Sequence, residues 1–441
     1  MSPVVLSHLD SIEWFHSFIF EDADARAPHI CGLKLPDFEY SLEMDDSWFD
    51  RINDCLAALL GAATHLDSFD AEDLPKILTK LRSPLRYLHV EAHAPFNIPA
   101  SFLHHHMAHF ARTLEILELE CLTFDISPPS VTTQFTALRS LKAKFVHNFH
   151  QLEVVLRLFP NLDNSLVLEC LNTTLAKDAY PALRERNKEA QKVHPWPGLD
   201  RLVCDDDVAF LMALQCPIRH MDILHWVSLP DRKQFLVETL RHNPPRQLYS
   251  SISFFDGLDS SDGLFPLEAA DTLTHLVISK HVPGDQFLDA LSKSMQHLRL
   301  THLRVVLHYH LRVHQDGAPM QTQLDLSRNL YTAGEGDRDL YRAAVRFFNS
   351  MPALQYLFLT TCGYVLTVNG NSSSCTCQRL SSQAWRAVGS AEDLHPSDAA
   401  ERGPCQEISS EMAETVMDRE ELHLRSRDEN FVRSCCDSAS E

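Results

Sequence analysis

The sequence predicts an α/β fold, an irregular leucine-rich-repeat-like βα solenoid over residues 1–370 with parallel strands inside the arc and helices outside. Two observations predict it. The stretch TLEILELECLTF contains the pattern L-x-x-L-x-L at Leu114, Leu117 and Leu119. The same pattern returns along the chain, each time after a segment with helical periodicity. A strand this short has to stack on copies of itself to bury its apolar face, which is how a repeat protein is built.

The spacing of the repeats leaves a second fold open. Apart from the gap between Leu303 and Leu357, which is about double, the intervals between successive fourth-position residues are roughly 20 to 36 residues, wider than the 20–29 of regular leucine-rich repeats. Repeated βα units also build open, doubly wound α/β sheets. The chain has only 13 glycines, few of them after strands, and this weakens a nucleotide-binding version of that alternative.

The apolar spacing in the N-terminal segment predicts two amphipathic helices with a first repeat-like strand between them. Residues 9–25 are predicted to be helical, with Ile12, Phe15, Phe18 and Ile19 on one face. The first strand is predicted at Ile30, Leu33 and Leu35. A helix then follows from the capping position of Asp45 or Asp46 to residue 63, with its apolar face inward at Trp48, Ile52, Leu56, Leu59 and Leu60.

Helices and short strands then alternate as far as residue 370. Helices are predicted at 74–81, 101–111, 151–158, 173–193, 206–215, 231–242, 285–297 and 338–350. Strands are predicted around Leu88, Leu117, Leu141, Leu166, Leu202, Met221, Leu248, Leu276, Leu303 and Leu357. The loop 313–336 is rich in Gly, Asp, Gln and Thr and includes one poor repeat at Leu324 and Leu326.

The composition changes after residue 370. We predict a polar linker at 371–408 with a last strand at QAWRAV, and an amphipathic helix at 409–425 with Ile408, Met412, Val416 and Leu422 on one face. Residues 426–441 lack apolar periodicity and are predicted to be a disordered tail.

Charge and composition exclude several classes of function. The formal net charge of -21 argues against nucleic acid and against an anionic membrane surface as partners. No apolar run approaches the roughly 18 residues that span a bilayer, and the N-terminus lacks a secretory signal pattern. Several of the 12 cysteines fall in predicted strands or helices and read as small buried hydrophobes. We therefore expect a reducing compartment, the cytoplasm or the nucleus.

The motifs of common catalytic and cofactor sites are missing from the sequence. It contains no G-x-S-x-G, G-x-x-x-x-G-K-[ST], G-x-G-x-x-G or H-E-x-x-H. The cluster FLHHHMAHF at 102–110 places His105 and His109 four residues apart, a spacing that metals use, but a polar outer helix face explains it as well. We predict no catalytic residue, no cofactor and no metal.

Three further polar clusters have ordinary explanations. Cys362, Cys375 and Cys377 do not form paired C-x-x-C motifs and are predicted to be unbonded loop thiols. The carboxylates of residues 205–207 are predicted to open a helix, where negative charge is favourable. RERNKEAQK at 184–192 has mixed charge and is predicted to be a solvated helix face.

The inner strand face is the predicted working surface. In L-x-x-L-x-L the fourth and sixth residues point into the core, so the third, fifth and seventh point to the opposite face. That face carries charges of both signs with aromatic residues, which suits a protein or peptide partner. The alternatives are a solvated sheet face and, for Tyr356 and Phe358, a cover formed by residues 380–425. The candidate partner-binding residues are Tyr87, His89, Glu118, Glu120, Lys142, Lys144, Arg201, His220, Asp222, His275, His302, Arg304, Tyr356 and Phe358.

The chain resembles the leucine-rich-repeat F-box-type proteins of mushroom-forming fungi. The resemblance lies in the opening WFHSFIFEDADARAPHICGLKL, in the repeated helix and L-x-x-L-x-L units, and in the closing WRAV and EISSEMAETV segments. It implies a non-enzymatic recognition module, the substrate-binding part of a ubiquitin-ligase adaptor. In that family an N-terminal F-box docks on a cullin-type ligase, and the repeats hold the substrate for ubiquitination.

The N-terminus departs from that family pattern. An F-box would begin with an LP-x-E-[IL]-like helix before the repeats, whereas the first repeat-like strand of this chain ends at Leu35. We therefore expect the F-box to be missing and direct docking on the ligase to be doubtful. The alternative function is a free-standing leucine-rich-repeat scaffold with no link to ubiquitination.

Overall fold

The computed structural model is a mixed α/β structure with mostly parallel strands. It describes residues 4–6, 9–34, 46–63, 65, 68–72, 83–99, 107–125, 133–144, 152–169, 177–224, 232–252, 264–281, 287–314, 336–369, 372–388 and 404–424. The chain divides into two compact units, residues 1–218 (unit 1) and 219–441 (unit 2). The single solenoid that the repeat pattern predicted over residues 1–370 stays a prediction.

Unit 1 contains a sheet in which each strand pairs with the next along the chain, always in parallel. Its strands are β1 Val4–Val5, β2 Gly32–Lys34, β3 Ser68–Glu72, β4 Tyr87–Pro99, β5 Ile116–Asp125, β6 Ser140–Lys144, β7 Ser165–Glu169 and β8 Leu199–Asp205. Its α-helices are α1 Leu9–Phe20, α2 Ala23–Arg26, α3 Asp46–Ala62, α4 Leu152–Leu158, α5 Tyr180–Val193 and α6 Asp206–Met212.

The leucine pattern sets the register of the unit 1 sheet. Leu88 pairs with Leu117, and Leu117 pairs with Leu141. Each of these leucines is 0% exposed, and Leu119, two residues further along β5, is 2% exposed. Because side chains alternate between the two faces of a strand, the same register turns the intervening polar residues to the opposite face.

Helix α5 is held by buried polar side chains. Asn187 and Gln191 are 1% and 5% exposed. Asn187 donates to the Leu211 carbonyl at 2.9 Å, and Gln191 donates to the Met212 and Ala213 carbonyls at 3.2 and 3.1 Å. These carbonyls end α6, where the helix has no N–H groups of its own to bond them. The solvated face predicted at 184–192 is therefore wrong for these two residues.

Unit 2 combines parallel and antiparallel strands. Its strands are β9 Ile218–Leu224, which begins at the boundary, β10 Gln247–Ile252, β11 His275–His281, β12 His302–His314, β13 Tyr356–Asn369, β14 Ser372–Ala387 and β15 Cys405–Ile408. Its α-helices are α7 Arg232–His242, α8 Phe287–Met295, α9 Gly336–Ser350 and α10 Ser410–Arg419. Strands β9 to β13 pair in parallel, whereas β14 and β15 are antiparallel to their neighbours.

The segment predicted as a linker at 371–408 is mostly sheet where the structure describes it. The predicted strand QAWRAV lies at the end of the 16-residue strand β14, and β15 pairs with it. Cys375 and Cys377 lie in β14 rather than in a loop. Trp385 is 1% exposed, which explains why this segment is fixed on the sheet although most of its residues are polar.

In each of two predicted amphipathic helices, one residue of the predicted apolar face is exposed in the structure. Phe18 is 41% exposed while Ile12, Phe15 and Ile19 are buried, and Met412 is 45% exposed while Val416 is buried. The predictions for 74–81, for 101–106, for most of 313–336 and for 426–441 lie outside the described residues.

Candidate functional site

The unit 1 strand face is half-open. We define it by the rows of residues that pair across β4, β5, β6 and β7. One row joins Tyr87, Ile116, Ser140 and Ser165, and the next joins His89, Glu118, Lys142 and Val167. Ile116 is 37% exposed and Tyr87 and His89 are half-buried, whereas Glu120 is only 7% exposed, so the predicted exposure is wrong for Glu120. Parallel pairing thus assembles the predicted residues Tyr87, His89, Glu118, Glu120, Lys142 and Lys144 on one surface, and Arg201 is exposed on β8 beside Ser165.

A ladder of ion pairs crosses this face. The Lys142 ammonium is 2.8 Å from Glu118 and 3.5 Å from Glu120, and the Lys144 ammonium is 3.2 Å from Glu120. Burial by itself lowers the pKa of Lys142, but the hydrogen bonds and charges of Glu118 and Glu120 outweigh it and raise the pKa. The face therefore presents charges that already neutralise one another, with an apolar side chain at Ile116 and an aromatic one at Tyr87.

The corresponding face of unit 2 is covered. Its first row joins His220, Gln247, His275, His302 and Tyr356, and its second joins Asp222, Tyr249, Val277, Arg304, Phe358 and Ala384. His220, Asp222, His275 and His302 are each 6% exposed, and Phe358 is 2% exposed. The open surface predicted for these residues is therefore wrong in unit 2.

Residues 410–424, here called the C-terminal cover, close this face. Ala413, Val416, Leu422 and Leu424 pack in one apolar cluster with the second-row residues Tyr249, Val277 and Phe358 and with Val306. Tyr356, Ile408 and Met417 pack against the same cluster. The two aromatic residues that looked exposed in the sequence are thus packed beneath the chain's own C-terminal segment.

The end of α10 directs the chain back onto the sheet. Glu421 has a positive φ of 53°. The Leu422 N–H donates to the Met417 carbonyl at 2.9 Å, and the Glu421 N–H donates to the Asp418 carbonyl at 3.3 Å. These are the two bonds of a Schellman motif, which is usually built on glycine. A non-glycine residue in this conformation is strained, and the result is that Leu422, 0% exposed, enters the cluster.

Polar contacts add to the apolar ones. Gln247 donates to the Glu421 carbonyl at 2.7 Å, and Arg304 donates to the Leu422 carbonyl at 2.5 Å. The Glu421 carboxylate is 3.1 Å from Nδ1 of His220 and 3.4 Å from Arg219. Four positions spread over three strands thus hold the turn after α10.

Two histidines and a glutamate converge at the same turn. Nε2 of His275 lies 3.3 Å from Oε2 of Glu420. The His275 and His302 rings stack with centroids 4.5 Å apart and planes 5° apart. One ligand atom from each of the three residues lies within 4.8 Å of the other two. Nε2 of His302 is buried and has no hydrogen-bond partner.

Burial favours the neutral form of both imidazoles. It lowers the pKa of His302 to about 4, and the neighbouring His275 adds to this effect. Burial also lowers the pKa of His275, although Glu420 opposes the shift. The pKa of Glu420 is lowered, first by its hydrogen bond from Arg419, which lies 2.8 Å from Oε1. These shifts favour the ionised form of the Glu420 carboxyl group.

The sequence offered a signal for two of the three residues of this cluster. The tetrapeptide LTHL occurs at 273–276 and again at 300–303, so that the two histidines take the same position on adjacent strands. Glu420 belongs to no motif. The alternative metal site at His105 and His109 falls partly outside the described residues, since residues 101–106 lie there.

Comparison with known proteins gives no matching family model and no matching curated protein. Among the described residues, every helix is too short or too polar to cross a membrane.

Proposed function

We propose that the chain is a non-enzymatic protein-recognition module that binds a protein or peptide partner on the unit 1 strand face. The finer description of the fold, an irregular leucine-rich-repeat-like solenoid, belongs to the same proposal. The half-open row of Tyr87 and Ile116 beside the ladder of paired charges is the observation that carries it. An aromatic and an aliphatic side chain surrounded by polar groups is the usual composition of an interface centre.

The charge ladder favours a partner of mixed or weak charge. Lys142 and Lys144 are already paired with Glu118 and Glu120 at 2.8–3.5 Å. A strongly basic or strongly acidic partner would have to break these pairs, whereas apolar contact at Ile116 leaves them intact. Neither nucleic acid nor a membrane surface fits such a face, and we propose a cytoplasmic or nuclear location.

A role as the substrate-binding part of an F-box ubiquitin-ligase adaptor is supported by the resemblance of the sequence alone. The alternative is a scaffold with no link to ubiquitination. Affinity capture with the full chain, followed by mass spectrometry, separates the two. Capture of a cullin-type ligase together with a partner supports the adaptor, and capture of a partner without ligase subunits supports the scaffold.

The surface is tested with the purified partner. Ile116→Asp places a charge at the centre of the unit 1 strand face and should raise the Kd at least about tenfold, since losing a central contact costs about 1.4 kcal/mol or more. Val193→Asp is the matched control, because Val193 is another exposed aliphatic residue of unit 1, 70% exposed at the end of α5. An unchanged Kd for Ile116→Asp, or an equal loss in both variants, would contradict the proposed surface.

A further inference from the structure

We propose that His275, His302 and Glu420 form a zinc-type metal site that fastens the C-terminal cover to the strand face of unit 2. Two imidazoles and a carboxylate are the ligand set of many open zinc sites. The two histidines belong to adjacent strands and the glutamate to the end of α10, so one ion would join three separate elements. This inference does not depend on the proposed partner surface of unit 1.

The hydrogen bonds behind the histidines orient both rings. The Thr274 hydroxyl donates to the Arg246 carbonyl at 3.3 Å, and the Thr301 hydroxyl donates to the Thr274 carbonyl at 3.1 Å. Each hydroxyl oxygen also lies beside Nδ1 of the following histidine, at 2.8 and 2.9 Å. Nδ1 of each ring is therefore engaged by a threonine, and Nε2 is the nitrogen that is left for an ion.

Three atoms that can bind a metal converge at this turn. Nε2 of His302 is buried and has no hydrogen-bond partner, in a residue that is 6% exposed. Nε2 of His275 lies 3.3 Å from a carboxylate oxygen of Glu420. A buried polar atom without a partner is unfavourable, and a cation held by the three residues would give the His302 nitrogen a partner.

The spacing also fits zinc. Ligands at 2.0–2.1 Å in a tetrahedron are about 3.4 Å apart, close to the distance between His275 and Glu420. The limit of 4.8 Å for the whole set is wider than this, so the two stacked rings would have to turn toward the ion to bind it. The Thr–His bonds correspond to the outer contacts that orient metal-binding imidazoles. Arg419 holds Oε1 of Glu420 and leaves Oε2 for the ion.

Cobalt(II) titration of the full chain tests the site. After chelator treatment and dialysis, the chain should bind cobalt with the visible absorption of a tetrahedral complex, and zinc should displace it. Glu420→Gln and His302→Ala should each abolish one equivalent of this signal. Glu420→Gln keeps the size of a partly exposed side chain, so it decides the matter if His302→Ala does not fold.

Two control variants should keep the signal. Glu421→Gln alters the neighbouring carboxylate, which contacts His220 rather than the cluster. His105→Ala with His109→Ala removes the other histidine pair of metal-compatible spacing. Absence of the cobalt signal from the unmodified chain, its persistence in Glu420→Gln, or its loss only in the His105/His109 variant would overturn the site.

Amide hydrogen exchange tests whether the ion holds the C-terminal cover on the strand face of unit 2. Zinc should slow exchange across residues 410–424 in the unmodified chain and leave exchange unchanged in Glu420→Gln. Zinc binding without any change of exchange in 410–424 would overturn the proposed link between the ion and the C-terminal cover.

Discussion

Replacement of Phe358 by alanine distinguishes a covered strand face in unit 2 from an open one. Phe358 is 2% exposed and packs with Val416 and Leu422 of the C-terminal cover. Truncating a buried phenylalanine to alanine lowers the free energy of unfolding by about 3–5 kcal/mol, because apolar burial is lost and a cavity remains. An exposed phenylalanine would change it by only about 0.5 kcal/mol.

Urea unfolding measures this difference. With an m-value of about 3 kcal/mol/M, a loss of 3–5 kcal/mol lowers the midpoint by about 1 M or more. Ile116→Ala is the control on the unit 1 strand face, where the side chain is 37% exposed and the expected cost is no more than about 1 kcal/mol. Equal midpoints for Phe358→Ala and Ile116→Ala would refute the burial of Phe358 beneath the C-terminal cover.

Three further predictions concern other parts of the chain. The double substitution Leu117→Ala and Leu119→Ala removes two buried side chains of β5 and should lower the free energy of unfolding by about 2–5 kcal/mol for each. Calorimetry should therefore show a large fall in Tm. An unchanged Tm would show that the two leucines are not part of the core. Ser409→Ala deletes the N-cap of α10, whose hydroxyl accepts a hydrogen bond from the Met412 N–H at 3.3 Å. The change should lower the free energy of unfolding by about 1 kcal/mol and speed amide exchange in α10. Ser410→Ala should have neither effect. Burial raises the pKa of Cys216 and of Cys405 to about 11. At pH 8 both thiols should therefore react with iodoacetamide more slowly than the half-buried Cys31. Equal labelling of Cys216 and Cys31, measured by mass spectrometry, would contradict this.

The apolar pattern predicted much of the sheet because it encodes both location and register. Leu88, Leu117 and Leu141 mark three strands, and the structure pairs them directly. Strand β3 was missed because SFDAE contains a single large apolar residue. Strand β14 was predicted over only its last residues, since its other residues are mostly Ser, Thr, Cys and Gln. Both strands are held by pairing with neighbours, which a local pattern does not contain.

The C-terminal cover entered the sequence analysis only as an alternative for Tyr356 and Phe358. Helical spacing showed that α10 has an apolar face, but it did not decide which surface receives that face. The contact joins Val416 and Leu422 to Tyr249 and Val277, more than 100 residues away in sequence. Leu422 lies outside the helix and reaches the cluster only through the left-handed conformation of Glu421. The same tertiary packing brings Glu420 to the two histidines, so the repeated LTHL marks His275 and His302 in the sequence but not the third member of the cluster.

Hydroxyl-radical footprinting of the full chain tests most directly the claim that the unit 1 strand face is open while that of unit 2 is covered. Mass spectrometry would compare Tyr87 with Tyr249 and Phe358, which are 4% and 2% exposed. The account predicts rapid oxidation of the half-buried Tyr87 and protection of Tyr249 and Phe358. Oxidation of Phe358 and Tyr249 as fast as that of Tyr87 would contradict it.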